Sequence, residues 1–291
     1  MTRELVFVHG RAQQNYDADK LKELWVDSLK KGLEKNDLTL PISEDKIRFP
    51  YYGNTLIGMV EGIPDDQVVD VVVRGDDAND AETEFVRAAI METLAQHNVT
   101  DEKIQALSDE QIVERRITNW EWVQSGLKAL DYYVPYASSA AVALRTRDVY
   151  QYLKNPVIRR KIDEGVAGAF DSATESVVVG HSLGSVVAYN VLHAGGWKVP
   201  LFVTVGSPLA VTAIKKALQP IKHPDSATKW FNAMDERDVV PLYPLDTAHF
   251  DVSPAIENKT DVDNFTDNRH GIAGYLSDPV VAKRIHDALV A

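Results

Sequence analysis

Ser176-Val177-Val178-Val179-Gly180-His181-Ser182-Leu183-Gly184-Ser185-Val186-Val187-Ala188 is the stretch that decides the fold. Its first half is an apolar, β-branched run of the length of a buried parallel strand. Its second half, continuing to Leu192, is apolar over a helical length. Between them, Gly180 and Gly184 bracket Ser182. A strand that turns at once into a helix lifts Ser182 to the apex, on strained backbone angles. The two glycines are expected because any side chain there would collide across the tight turn. The helix that follows points its free amides and positive dipole end at the serine. A glycine-bounded turn with an idle serine is the bland alternative, and the strand and helix on either side weigh against it.

The same alternation extends in both directions. Leu5 to Val8 is a short apolar run ending in His9-Gly10, which predicts a buried strand. Leu21, Leu24, Trp25, Leu29 and Leu33 recur at helical spacing and predict an amphipathic helix closed by Asn36-Asp37. Lys46 to Tyr52 reads as a second strand. Downstream of Ser182, strands are expected at Pro200 to Val205 and Lys229 to Ala233, and a last amphipathic helix at Val280 to Val290. Strand, helix and strand in succession make a parallel unit. The expected fold class is therefore α/β, a mostly parallel central sheet flanked by helices.

Residues 76–147 break the pattern. Glu84, Phe85, Ala88, Ala89, Met91 and Leu94 fit one helix; Ile117, Trp120, Trp122, Leu127 and Leu130 suggest another. The run Val68 to Val73 could be a strand without a clear place. This region reads as a helical insertion over a sheet edge, either a lid or purely structural helices. It separates an N-terminal part of the core, 1–75, from a C-terminal part, 148–291. In the latter, Val149 to Phe170 carries a helical stripe interrupted at Pro156.

A nucleophilic serine needs a base and an acid downstream of it in this arrangement. Asp238, just before Val239-Val240-Pro241, can turn toward an imidazole from the loop after its strand; Asp235, nearer the strand end, is the alternative. Of the later histidines, His249 follows Asp238 too closely and lies in an apparent strand, and His286 falls in the last helix. His270 opens a loop ahead of a helical segment, with room for one strand between it and Asp238. The candidate set is Ser182, Asp238 and His270. Backbone amides of Leu183 and of Arg11, or Ala12, are the expected oxyanion donors, because the loop after the first strand must pass beside the turn. His9 precedes Ser182 and is expected to brace that loop by hydrogen bonding. Tyr51, Tyr52, Trp120, Trp122, Tyr132, Tyr133 and Tyr136 are available either as core or as an acyl pocket.

Composition narrows the classes. A net charge of −12 argues against nonspecific binding to nucleic acid or an anionic membrane. The absence of cysteine removes disulfides, thiolate metal sites and cysteine nucleophiles. No uncharged run approaches the ~18 residues of a bilayer span, and the first ten residues lack the features of a signal peptide. A cytoplasmic protein is expected.

Taken together, Val8-His9-Gly10, Gly180-His181-Ser182-Leu183-Gly184, Gly206-Ser207-Pro208 and Asp238-Val239-Val240-Pro241 resemble the α/β-hydrolase superfamily, and most closely its lipase-like serine esterases. The likeness covers about 1–60 and 148–291. It implies hydrolysis of a small-molecule or lipid ester through an acyl-enzyme, with no metal and no organic cofactor. Thioesterases and acyltransferases carry the same turn, and a binding protein could retain it. The chain departs from the family pattern in its long polar and aromatic insertion and in lacking a glycine run after His9-Gly10.

Overall fold

The computed structural model describes residues 3–10, 17–52, 80–107 and 119–291. Among them, six strands form one open, all-parallel sheet: β1 (Glu4–Val8), β2 (Ile47–Arg48), β3 (Ser176–His181), β4 (Phe202–Val205), β5 (Trp230–Ala233) and β6 (Glu257–Lys259), in the order β2-β1-β3-β4-β5-β6. The architecture is α/β.

Period-two alternation divides these strands between two cores. Val6, Val178, Phe202 and Trp230 are cross-strand partners in register, and their side chains enter one core. Leu5, Phe7, Val177, Val179, Val203 and Phe231 enter the other. Both faces are therefore apolar, which is why β3 reads as an unbroken valine run. The second core is closed by α1 (Ala18–Glu34), α9 (Ile272–Leu276) and α10 (Pro279–Val290). The first is closed by α5 (Ser139–Lys154), α6 (Pro156–Ala167) and α7 (Leu183–Ala194). Proline at the first position of α6 needs no amide acceptor there, and Asn155 caps the helix from the side, so the expected interruption at Pro156 is a helix start.

The expected strand over Lys46 to Tyr52 shrinks to Ile47–Arg48, because beyond it the chain leaves the sheet edge. The possible strand Val68 to Val73 lies outside the described residues. Strand β6 carries no apolar signal, being an exposed to half-buried Glu-Asn-Lys edge. His249, expected in a strand, sits instead in a turn, where its Nδ1 lies 2.7 Å from Asp246 Oδ1.

Helices α2 (Asp80–Gln96), α3 (Asp101–Gln105), α4 (Asn119–Tyr133) and α5 share a third apolar cluster with Val239. Phe85 and Ala89 of α2 also join the core of the sheet. α5 runs through the expected boundary at 147–148 without a break. The helical segment thus shares residues with the core on one face of the sheet. No described helix is long and apolar enough to cross a membrane.

Candidate active site

Strand β3 passes directly into α7, and Ser182 takes the turn at φ 54° and ψ −130°. Non-glycine residues rarely occupy positive φ, and such strain costs on the order of 1–3 kcal/mol. Its surroundings hold it there. The Ser182 amide donates to Val205 O at 3.2 Å, and the Ser182 carbonyl accepts from the amide and the hydroxyl of Ser185, at 2.9 and 2.6 Å. Ser185 Oγ in turn meets Ser207 Oγ at 2.7 Å. Gly180 is confined within the turn, for a Cβ there would stand 2.7 Å from Ser185 Cα. Gly184 has a different reason from the expected one: its Cβ would strike the carbonyls of Val8 and His9 at the end of the neighbouring strand β1.

That close approach brings the end of β1 beside the serine. His9 is buried, and its Nε2 accepts from the Tyr52 amide at 3.2 Å while its Nδ1 donates to Gly10 O at 2.6 Å. Tyr52 also donates its hydroxyl to the His9 carbonyl. Burial lowers the His9 pKa to about 4, so the ring is neutral and acts as a brace. Leu183 opens α7, where first-turn amides have no intrahelical acceptor. Arg11 and Ala12, the expected second oxyanion donors, lie outside the described residues.

Asp238 and His270 meet. Nδ1 of His270 donates to Asp238 Oδ2 at 2.6 Å, and both groups are buried. Asp238 also accepts the Tyr275 hydroxyl on Oδ2 at 2.6 Å and the Val240 amide on Oδ1 at 3.0 Å. Burial pushes its carboxyl up to about 7, against the pull of these donors and of the Arg145 charge. Burial also drives His270 well below the ordinary imidazole range, helped by Arg145. One proton between Nδ1 and Oδ2 leaves Nε2 bare, the form a base requires.

Asp235 faces elsewhere. It binds Arg237 through both carboxylate oxygens and accepts the Asn264 amide at 2.9 Å, so it ties its own loop to the one that carries Asn264. His286 is half-buried on α10, with Nδ1 3.4 Å from Asp287.

The His270 imidazole, in the loop just ahead of α9, stands beside the Ser182 turn. His181, the residue before the serine, donates Nε2–H to the His270 carbonyl at 2.9 Å, and the two rings lie 4.7 Å apart. A Cβ on Gly206, immediately after β4, would stand 3.1 Å from His270 Cε1. The serine–histidine hydrogen bond itself is not closed: His270 Nε2 is buried and has no hydrogen-bond partner among the described residues. Such bonds are often long in unliganded sites and tighten around substrate.

Ser182 opens into a small cavity of about 40 Å³. α2 and α5 roof it through Ala89, Thr93, Val142 and Val149, and Val211, Ile214 and Leu242 line the other side. The walls are aliphatic, not aromatic. Among the expected aromatic candidates, Tyr52 braces His9, Trp122 stacks under Arg87, and Tyr132 and Tyr136 are exposed; none of these lines the cavity. Trp120 lies in a helix, but its side chain is outside the described residues.

Comparison with known protein families, with curated proteins and with solved structures finds no match to this chain. Among the described residues no cluster of His, Asp and Glu is arranged to hold a metal ion.

Proposed function

We propose that this chain is a serine hydrolase of the α/β-hydrolase type that cleaves short carboxylic esters through an acyl-enzyme. The observation that carries the reading is the positive-φ serine between a strand and a helix, beside a buried His–Asp pair with a bare Nε2. In the first step, Ser182 Oγ attacks the ester carbonyl as its proton passes to His270 Nε2. Asp238 stabilises the resulting imidazolium. The amide of Leu183, with the expected amide of Arg11, receives the tetrahedral oxyanion. Collapse expels the alcohol, which takes the proton from Nε2. Water, deprotonated by the same nitrogen, then releases the acid and restores Ser182.

The narrow aliphatic interior favours small acyl groups. A single water needs at least about 10–15 Å³ of such space, so a long chain would have to run out through the mouth. The test is hydrolysis of p-nitrophenyl acetate, butyrate, octanoate and palmitate by the wild type and Ser182→Ala. Short esters should be preferred, and the variant should lose them all. Transfer of the acyl group to an acceptor other than water uses the same steps, and product analysis with a candidate alcohol separates the two.

A further inference from the structure

Thirteen described residues line the cavity at Ser182, and Arg145 is the one ionisable side chain among them. It stands on α5 between Val142 and Val149, in walls that are mainly aliphatic and whose other polar side chains are the hydroxyls of Thr93, Thr146 and Ser182. No lining residue is acidic. A cationic fork in apolar walls has a chemistry that neutral acyl chains do not use: away from bulk water its attraction for an anion is strengthened, and its geometry matches a carboxylate.

We propose that the preferred acyl group carries a carboxylate of its own, received by the Arg145 guanidinium. The substrate class is thus the monoester of a short dicarboxylic acid. This rests on the ester-cleaving reading of Ser182. Arg145 is also engaged within the fold, but a guanidinium carries five donors, enough to keep that partner and receive a carboxylate. Its charge already reaches the neighbouring groups, lowering the proton affinity of His181, His270 and Asp238. The molecule as a whole, at −12, gives an anion no long-range attraction, so among the described lining residues selection falls to Arg145.

The test compares monoethyl succinate with ethyl butyrate, which share a four-carbon acyl chain and differ in the terminal carboxylate. Acid release is followed by titration at neutral pH. The wild type should favour monoethyl succinate by about ten-fold or more in kcat/KM. Arg145→Gln should erase that ratio mainly through KM, and Arg145→Lys should restore part of it. A wild type that prefers the neutral ester overturns the proposal. So does an Arg145→Gln variant that slows both esters by the same factor, since that is the mark of an effect on the histidine alone.

A second measurement separates this proposal from the reading beneath it. Monoethyl succinate is titrated calorimetrically into Ser182→Ala and into the Ser182→Ala, Arg145→Gln double variant. Binding at least ten-fold weaker in the double variant supports the anion site even if neither ester is turned over. Equal binding, or none to either, overturns it whatever the activity.

Discussion

Tyr275 and His270 converge on one oxygen: the phenol and the imidazole Nδ1 each donate to Asp238 Oδ2 at 2.6 Å. Tyr275 is fully buried on α9, and His270 stands in the loop that leads into that helix, so one short stretch of chain carries both donors. Tyr275 is a positioning residue. Tyr275→Phe removes one of the donors that hold the Asp238 carboxyl down against burial. The expected result is about a ten-fold loss of kcat/KM, with an altered pH profile and a stability loss of only about 1 kcal/mol. An unchanged pH profile contradicts the role.

The two candidate acids make opposite predictions. Asp238→Asn should remove about 10³–10⁴ of turnover, as loss of the orienting acid does in serine triads. Asp235→Asn should retain activity within about ten-fold while costing about 1–3 kcal/mol, because it unties Arg237 and Asn264. Chemical denaturation alongside kcat/KM reads both, and a reversed pattern would transfer the acid to Asp235.

Acid should silence the site late. Burial holds His270 below its ordinary value near 6.5, so Nε2 takes up its proton only when the pH falls below that value. The limb that Nε2 itself sets is expected below pH 6.5, while a limb near 7 reports protonation of the raised Asp238 carboxyl. A limb well above 7 argues against this buried pair as the base. Stability follows the same sign at His9, whose folded value of about 4 lies below the ordinary imidazole value of 6.5. Its contribution is whole above pH 6.5 and falls away toward pH 4, by up to about 3 kcal/mol. The raised carboxyl of Asp238 opposes this, since it is the folded state that takes up that proton first. Melting of the wild type and His9→Gln across pH 7 to 4.5 should show the steeper decline in the wild type.

Gly206 sits at φ 55°, with Tyr275 and His270 at 3.0 and 3.1 Å from where a Cβ would be. Gly206→Ala pays for the left-handed backbone with about 1–2 kcal/mol and presses on the imidazole. Its activity should fall further than its stability accounts for, read as a lower kcat in protein that still melts cooperatively.

What the sequence disclosed depended on range. Leu5–Val8, Val177–Val179 and the α1 stripe are local patterns, and each became the element expected. The pairing of His270 with Asp238 followed from chain order and loop position. β6 was illegible because a half-exposed edge of Glu257, Asn258 and Lys259 has no hydrophobic period to read. His181, Tyr275 and Ser207 were missed for another reason. Their partners, the His270 carbonyl, Asp238 and Ser185, come from distant segments, and nothing near them in the chain announces the contact. The aromatic residues were open to either a core or a pocket role; Tyr52, Trp122, Tyr132 and Tyr136 stay out of the cavity, whose described walls are mainly valine, isoleucine and leucine.

The nucleophile is the center of the account, and it can be measured directly. Wild-type protein is treated with a fluorophosphonate, digested and mapped by mass. A single phosphonyl adduct on Ser182, lost in Ser182→Ala and strongly slowed in His270→Gln, is the predicted result. A folded wild type that takes no adduct at Ser182, or a Ser182→Ala variant that still hydrolyses p-nitrophenyl butyrate at the wild-type rate, would contradict it.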